Sequence, residues 1–297
     1  MFTTEPDLHE RCFSKGGVLC KSQKRLRRVW SITRQTRKKN TSNGYHFVLG
    51  QFTKEFGRRR IDSITSEETF SFLAFLTGAK KQSTRYSRCA HLRAFFNHIL
   101  DRYKLSFANP CDTLIIKRVF RPARIGIRTV IDRETIDEII YGSLKIRDRL
   151  ILELQARAGM RIGEVLKLTP NDIDGVKVTI RNPKSGREQE TVFITRRISE
   201  RLRNYIKDRN IGLDERVFPM SYNGARLLVK RAGRSRGLNL TPHDLRRHAA
   251  TFASRSGVPL EVVSKVILRH RNLSTTQRYL GKVSESEAAS WIDRIYE

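Results

Sequence analysis

Six side chains in the second half of the chain combine fixed positive charge with groups that transfer protons. They are Arg161, Lys184, His243, Arg246, His270 and Tyr279. Guanidinium groups hold phosphate oxygens through paired hydrogen bonds, and lysine and histidine can move protons. A tyrosine hydroxyl becomes a nucleophile once its proton is removed. This set of residue types therefore suits attack on a phosphodiester, in which negative charge grows on the phosphate oxygens.

Each of these residues also has an ordinary structural interpretation. In so basic a chain, Arg161 or Lys184 alone is most often a surface charge, and Tyr279 alone is most often a half-buried core residue. A helix cap accounts for His243, and a satisfied core position accounts for His270. Only the order, spacing and local sequence of the whole set point to a site.

The spacing supplies the first positional clues. Arg161 follows Gly159 at the predicted start of a helix, where backbone N–H groups favour anions. Lys184 falls in the turn of a predicted hairpin. His243 and Arg246 follow a Thr-Pro pair and, three residues apart, share one face of a predicted helix.

Three segments, in this order, resemble the sequence boxes of the tyrosine recombinase (phage integrase) family. They are AGMRIGE at 158–164, TPHDLRRHAATF at 241–252 and VILRHRNLSTTQRYL at 266–280. The resemblance covers about residues 130–297, and three ordered boxes are highly specific. The helical stretch at 35–108 also resembles the core-binding (SAM-like) domain of that family.

The resemblance implies a role for each residue that matches a box. Arg161 and Arg246 would clamp the scissile phosphate. Tyr279 would attack it, leaving a 3′-phosphotyrosine and a free 5′-hydroxyl, and His243 would assist proton transfer at the tyrosine. Because a tyrosine hydroxyl has a pKa of roughly 10, the surrounding cations would help it to ionise.

The remaining residues complete the implied machinery. Lys184 would protonate the departing 5′-oxygen as general acid, His270 would hydrogen-bond the phosphate, and Glu164 would support the site structurally. The third box departs from the usual Leu-Gly-His, because Arg269 stands at the glycine position; a further phosphate contact is one interpretation of it. No carboxylate cluster suited to magnesium is evident, so we expect neither metal nor cofactor.

The overall charge indicates the class of partner. The 297 residues carry 59 Lys and Arg against 30 Asp and Glu, a net charge of +29. Such a surplus favours a polyanionic partner. No apolar run approaches the roughly 18 residues that span a bilayer, and no signal-peptide core is recognisable. We therefore expect a soluble cytoplasmic protein that binds double-stranded DNA and not a membrane.

The cysteines are expected to be free thiols. They are Cys12, Cys20, Cys89 and Cys111. A cytosolic chain of this size does not need disulfides. Together with His9, the first two cysteines match no zinc-ligand spacing.

Four segments are predicted from composition and periodicity. Residues 1–33 form a basic arm, 34–110 a helical core-binding domain, 111–129 a basic extended linker and 130–297 the catalytic domain. The fold class is mostly α with a small β component (α+β).

The predicted elements follow from hydrophobic spacing. Helices are expected around 45–56, 69–76, 84–103, 147–157 and 162–168. A hairpin is expected from strands 176–181 and 189–194 with the turn at 182–187. The remainder is helical, with breaks near Gly212, Gly237, Gly257 and Gly281. A last helix from Ser284 carries apolar residues that would pack on their own domain or, as in the family, dock on a neighbouring protomer.

The predicted function is site-specific recombination of duplex DNA through a Holliday junction, by a homotetramer assembled on DNA. Integration or excision of a mobile element is the favoured role, with accessory DNA-bending proteins as possible partners. The alternatives are Xer-like resolution of chromosome dimers, a type IB topoisomerase and a non-catalytic DNA-binding regulator on the same scaffold.

Overall fold

The computed structural model describes residues 39–123, 131–183, 188–277, 280, 289 and 291–293. Two of the predicted site residues, Lys184 and Tyr279, lie outside these ranges, as does the whole of the predicted arm at 1–33. The chain divides into two compact units, Met1–Ile125 and Gly126–Glu297.

The described part of the N-terminal unit is helical. Its α-helices are α1 (Lys39–Phe56), α2 (Ser66–Thr77), α3 (Gln82–Tyr103) and α4 (Leu114–Val119). The start of α2 is fixed by a capping box, in which Thr65 and Glu68 each accept the other's backbone N–H.

Aromatic side chains fill the core of this unit. Phe52 of α1 lies at its centre, with ring centroids 5.0–6.1 Å from those of Phe56, Phe72, Phe95 and Phe96. Such edge-on contacts add to the stabilisation from burial alone. All five of these rings are buried in the core of the N-terminal unit.

Two arginines of α3 make contacts within the N-terminal unit. Arg88 lies 4.5 Å from the centroid of the Phe47 ring and donates to the carbonyl of Leu76. Arg93 pairs with Asp112 at 3.2 Å. These two guanidinium groups therefore stabilise the unit itself, whereas Arg102 is exposed.

The prediction of an extended segment from residue 111 is wrong over α4. Ile116 and Phe120 are buried in the N-terminal core, and Gln82 donates to the carbonyls of Val119 and Arg121. Apolar residues at 115, 116, 119 and 120 follow helical spacing, but the surrounding basic residues and Pro122 obscure it in the sequence. Residues 124–130 lie outside the described ranges.

The C-terminal unit places helices around a small sheet. Its elements are α5 (Arg133–Tyr141), α6 (Ile146–Ala156), α7 (Ile162–Val165), β1 (Ile173–Asp174), β2 (Lys177–Arg181), β3 (Gln189–Phe193), α8 (Arg196–Asp208), α9 (Tyr222–Arg234), α10 (Pro242–Arg255), α11 (Leu260–Val262), a π-helical turn (Val263–Ile267) and α12 (Leu273–Gln277). Helix α6 is buried from Leu150 to Ala156 and packs against α8 and α10. Helix α7 is a single turn, shorter than predicted.

The sheet is antiparallel in the order β1-β2-β3. The predicted hairpin pairs Lys177 with Phe193 and Arg181 with Gln189, and Asn182 donates to the carbonyl of Glu188 beyond the last pair. The short strand β1 was not predicted. With a mostly helical chain and one three-stranded sheet, the α+β prediction is confirmed.

Two further sequence features have a direct structural outcome. Cys89 and Cys111 are buried free thiols, and burial raises the pKa of both; Cys12 and Cys20 lie outside the described ranges. Among the residues that the structure describes, no helix is both long and apolar enough to cross a membrane.

Candidate active site

The first box places Arg161 immediately before α7. Its Nη1 donates to Oε1 of Glu164 at 2.6 Å, and its backbone N–H donates to Oε2 at 2.9 Å. Glu164 thus occupies the backbone N–H of Arg161 itself, and the anion contact expected from the N–H groups at this helix start stays a prediction. Glu164 holds the arginine by both backbone and side chain, as its expected supporting role requires.

The second box forms the start of α10. The Asp244 carboxylate accepts the backbone N–H of Thr241 at 3.0 Å, and Pro242 occupies the first helical position, where no donor is lost. His243 is exposed in the first turn, and Arg246 follows one turn later with 1% of its surface exposed. The cap therefore sets the direction of both side chains.

Arg246 joins the first and third boxes. Its guanidinium donates to the carbonyl oxygens of Gly159 and Leu268. Gly159 precedes Arg161 by two residues, and Leu268 precedes His270 by two. One buried arginine of α10 therefore fixes the backbone beside two other predicted site residues.

His270 is held in a chain of polar contacts. Its Nδ1 lies 3.0 Å from the Thr276 hydroxyl of α12, which lies 2.8 Å from the Ser264 hydroxyl. Burial, followed by the charges of Arg246, Arg161 and Arg269, lowers the pKa of His270 to about 4. The imidazole is therefore neutral near pH 7, because burial and, after it, the neighbouring arginines disfavour the imidazolium.

Arg269, at the position where the family usually has glycine, adopts a left-handed backbone with φ of 50°. Glycine suits that conformation because it has no Cβ. The Arg269 side chain is buried, with Nη2 2.6 Å from Oε2 of Glu164 and Nε 3.3 Å from Oε2 of Glu190. The Arg269 side chain thus contacts two carboxylates of its own chain. These contacts account for its charge without a direct contact to phosphate.

The Glu164 carboxylate is kept ionised by its surroundings. Burial acts to raise the pKa of Glu164, but Arg269 and Arg161 outweigh it, and the pKa lies below its usual value. Burial lowers the pKa of Arg269, and Glu164 and Glu190 oppose that effect. The cluster therefore depends on mutual compensation of buried charges.

The described structure brings together four residues of the predicted site. Arg161, Arg246 and His270 are linked through the contacts above, and His243 lies on the first turn of the helix that carries Arg246. Lys184 belongs to the connection between β2 and β3, and Tyr279 follows the end of α12 by two residues. Both are outside the described residues, so their placement stays a prediction.

Sequence reasoning missed two contributors to this region. Glu190 alternates with Val192 on the buried face of β3, and an acidic residue on an apolar face indicates a buried cation nearby. Arg269 was noticed only as a departure from a pattern. An arginine at a position where the family usually has glycine, together with an acidic residue at 190 on an apolar strand face, could have indicated this buried ion pair.

Comparison with known proteins agrees with the three boxes. The family model described as the phage integrase family matches residues 131–285. Tyrosine recombinase XerA of Saccharolobus solfataricus is 31% identical over 151 residues, which are 50% of each protein, so the match spans about half of that relative. Tyrosine recombinase XerC of Herpetosiphon aurantiacus is 28% identical over 81% of this chain and 84% of its own.

A solved structure extends the likeness to the fold. The chain superimposes on a lambda integrase from a tetramer bound to a Holliday junction with a TM-score of 0.70. The sequence identity is 16%, and the match covers 94% of this chain and 82% of the other. Since the family model alone spans more than half of the residues, this chain belongs to the phage integrase family of tyrosine recombinases.

Proposed function

We propose that this protein is a site-specific DNA recombinase that cleaves and rejoins duplex DNA through a covalent phosphotyrosine. The observation that carries the proposal is the meeting of Arg161, Arg246 and His270. Their three segments are tied by the Arg246 contacts to Gly159 and Leu268. Positive charge concentrated in this way stabilises the negative charge that develops on the phosphate oxygens in the transition state.

The proposed reaction assigns each step to a residue. Tyr279 attacks the phosphorus, forming a 3′-phosphotyrosine bond as the bond to the 5′-oxygen breaks. Arg161 and Arg246 stabilise the charged phosphate oxygens, and His270 hydrogen-bonds one of them. Lys184 donates a proton to the departing 5′-oxygen, and His243 assists removal of the tyrosine proton. Since the phosphotyrosine conserves the bond energy, attack by a 5′-hydroxyl rejoins a strand without ATP.

The neutral state of His270 has a consequence for its proposed role. If its Nδ1 carries the proton toward Thr276, the Nε2 atom is an acceptor; the opposite tautomer makes Nε2 a donor to phosphate. An arriving phosphate raises the pKa of the imidazole and favours a donor at Nε2. We therefore assign to His270 a phosphate contact that forms as DNA binds.

The assembly belongs to the same proposal. Strand exchange in pairs needs four protomers, and the lambda integrase of similar fold is a tetramer on a Holliday junction. The net charge of +29 supports extensive contact with the DNA backbone. We assign DNA binding to the helical N-terminal unit with the basic arm 1–33, catalysis to residues 130–297, and integration or excision of a mobile element to the whole.

The experiment that tests the reaction is capture of covalent adducts on fragmented genomic DNA of the host. The wild-type chain should yield DNA fragments joined to a peptide that contains Tyr279, with a free 5′-hydroxyl on the released strand. Sequencing of these fragments maps the cleaved site. Tyr279→Phe should abolish adducts while binding to the mapped duplex persists; adducts formed by the Phe variant would assign the nucleophile elsewhere.

The same preparation separates the proposal from a type IB topoisomerase and from a non-catalytic regulator. A type IB topoisomerase would relax supercoiled plasmid without a preferred site, whereas a recombinase should produce joined products only from duplexes with the mapped site. A non-catalytic regulator would bind DNA and form no adduct at all. Recombinant products from two marked duplexes therefore support the proposal, and relaxation without them overturns it.

A further inference from the structure

Arg269 stands at the meeting point of three segments of the C-terminal unit. It follows Leu268, whose carbonyl accepts from Arg246, and precedes His270. Its guanidinium reaches Glu164 of α7 and Glu190 on β3, and its Nη1 donates to the carbonyl of Ile267 at 2.9 Å. A single side chain thus connects the third box to the first box and to the hairpin.

The left-handed backbone at Arg269 costs conformational free energy, which contacts of the side chain must offset. A non-glycine residue with φ of 50° has its Cβ crowded against the following carbonyl. The other described non-glycine residues with positive φ are two asparagines, which tolerate it well, and Lys104 at the end of α3. The hydrogen bond to Glu164 and the ion pair with Glu190 are therefore the compensating contribution at position 269.

The two carboxylates do not depend on Arg269 equally. Glu164 is also held by the backbone N–H and Nη1 of Arg161. For Glu190, whose side chain is 2% exposed, the structure gives Arg269 as the paired cation and no hydrogen bond to either carboxylate oxygen among the described residues. Loss of the arginine would thus leave the charge of Glu190 buried without its cation, whereas Glu164 would keep its contacts with Arg161. The effect at Glu190 is therefore the more damaging one.

Glu190 lies close to the connection that carries Lys184. It is the second residue of β3, six residues after Lys184, and pairs across the sheet with Ile180. The hairpin stays closed up to the bond from Asn182 to Glu188. The π-helical turn that precedes Arg269 also packs against β3. Fixing Glu190 therefore fixes the base from which the Lys184 connection extends.

We infer that Arg269 is a positioning residue for Lys184, acting through its ion pair with Glu190 to hold the hairpin against the rest of the site. The inference rests on the proposed function, in which Lys184 is the general acid. It predicts that loss of Arg269 impairs protonation of the leaving 5′-oxygen more than attack by the tyrosine. Glycine at 269 would relieve the backbone but leave Glu190 without its cation.

The leaving group offers a direct test of this division. In a duplex with sulfur replacing the 5′-bridging oxygen at the mapped site, Tyr279 forms the P–O bond as the P–S bond breaks, and the electron pair leaves on sulfur. A thiol has a pKa of roughly 8.5, far below that of an alcohol or water, so the thiolate departs without a general acid. Wild type, Arg269→Gly, Arg269→Lys and Lys184→Ala are compared on the oxygen and sulfur duplexes.

The expected result is a selective rescue. Arg269→Gly should cleave the oxygen duplex about 10- to 100-fold more slowly than wild type, within the effect of losing a general acid. On the sulfur duplex it should come within a few-fold of wild type, as should Lys184→Ala. Arg269→Lys, which keeps the charge, should show a smaller defect. A full defect of Arg269→Gly on sulfur, beside a rescued Lys184→Ala, overturns the inference.

Arg201 supplies the matched control. It also pairs with a buried carboxylate, Glu153, at 2.7 Å, but joins α8 to α6 and makes none of the contacts described for the site. Arg201→Ala therefore reports the effect of removing the nearer of two arginines paired with a buried glutamate elsewhere in the same unit, since Arg157 lies 4.0 Å from the same Glu153 oxygen. Its cleavage rate relative to wild type should be the same on the oxygen and sulfur duplexes. If sulfur rescues this variant as strongly as it rescues Arg269→Gly, a specific role for Arg269 is contradicted.

A second measurement does not depend on cleavage. Hydrogen exchange of the full-length protein should be faster in peptides from residues 177–193 of Arg269→Gly, with peptides of the N-terminal unit unchanged. The double variant with Glu190→Gln, which removes the unpaired charge, should return exchange toward wild type. Unchanged exchange at 177–193 overturns the positioning role. Absence of adducts from wild type overturns the proposed function separately, because the exchange result does not rely on them.

Discussion

Arg246 donates to the carbonyl oxygen of Gly159, a residue 87 positions earlier in the chain. The acceptor belongs to a glycine with φ of 61°, two residues before Arg161. A buried guanidinium group whose donors hold backbone carbonyls keeps a fixed orientation, which is the preorganisation that phosphate binding requires. The Gly159 carbonyl therefore helps to orient Arg246.

Gly159→Ala should destabilise the protein by about 1–3 kcal/mol, because a side chain at this position is strained and crowded. A Cβ would lie 2.8 Å from Cγ2 and 3.0 Å from the carbonyl oxygen of Ile267. Denaturant unfolding measures the loss. Covalent cleavage should fall further than stability explains, since the carbonyl that orients Arg246 must shift.

Gly163→Ala is the control for that substitution. Gly163 lies in α7, and a Cβ added there would meet no atom of the described residues within 4 Å outside its own helical turn. Alanine also favours helix over glycine by roughly 0.5–1 kcal/mol. The stability of this variant should stay the same or rise slightly. Equal losses in both variants would mean that the contact with Ile267 is not the cause.

Arg246→Lys should reduce adduct formation by about 10²–10³-fold, as expected when one preorganised donor of a transition-state site is lost. A lysine has a single nitrogen and cannot span Gly159 and Leu268 while facing a phosphate. Rapid-quench assays on the mapped duplex give the rate. Arg255→Lys, an exposed position on the same helix, is the control; comparable defects would contradict the specific assignment.

The sequence predicts local elements of this structure better than contacts between residues that are distant in the chain. The spacing of Tyr45, Val48 and Phe52 predicted a buried helix face, and all three are buried. Alternation predicted the β2–β3 hairpin. Helix α4 was missed because its apolar residues are embedded in a basic stretch.

Contacts distant in sequence could not be read from local patterns. The boxes predicted which residues of the first and third segments belong together, but not that Arg246 would bond the carbonyls of Gly159 and Leu268. The direction of the Arg269 side chain depends on a left-handed backbone that spacing does not encode. Its pairing with Glu190 follows only once the hairpin and the third box are in contact.

The stability of the protein should depend on the protonation of His270. Its pKa is lowered from 6.5 to about 4, so between these values the unfolded chain binds more protons than the folded one. The unfolding free energy should therefore decrease as pH falls from about 6.5 toward 4. His270→Gln removes this contribution and should give a shallower dependence over that range.

The imidazole can also be followed directly. An NMR titration of His270 should give a midpoint near pH 4 in the free protein, and the midpoint should rise when the mapped duplex is bound, because phosphate charge favours the imidazolium. A midpoint at or above 6.5 without DNA would show that the ring is neither buried nor close to Arg246, Arg161 and Arg269 as described.

Truncation after Val283 tests how the C-terminal segment contributes to assembly. Among its described residues, Trp291 lies beside Gly257 of the same chain: a Cβ on that glycine would be 3.5 Å from Cη2 of the tryptophan. This contact favours packing on the chain's own C-terminal unit before DNA binds. The shortened chain, which keeps Tyr279, should thus lose some stability and still form adducts on a single duplex.

Assembly separates the two ways in which this segment can dock. If it transfers to a neighbouring protomer on DNA, the truncated chain should fail to form tetramers and recombinant products while retaining adduct formation. Native electrophoresis of protein–duplex complexes, together with two-duplex recombination, measures both properties. Trp291→Ala, which removes one contact and leaves the segment present, should weaken assembly less. Full tetramer formation and strand exchange by the truncated chain would exclude docking in trans.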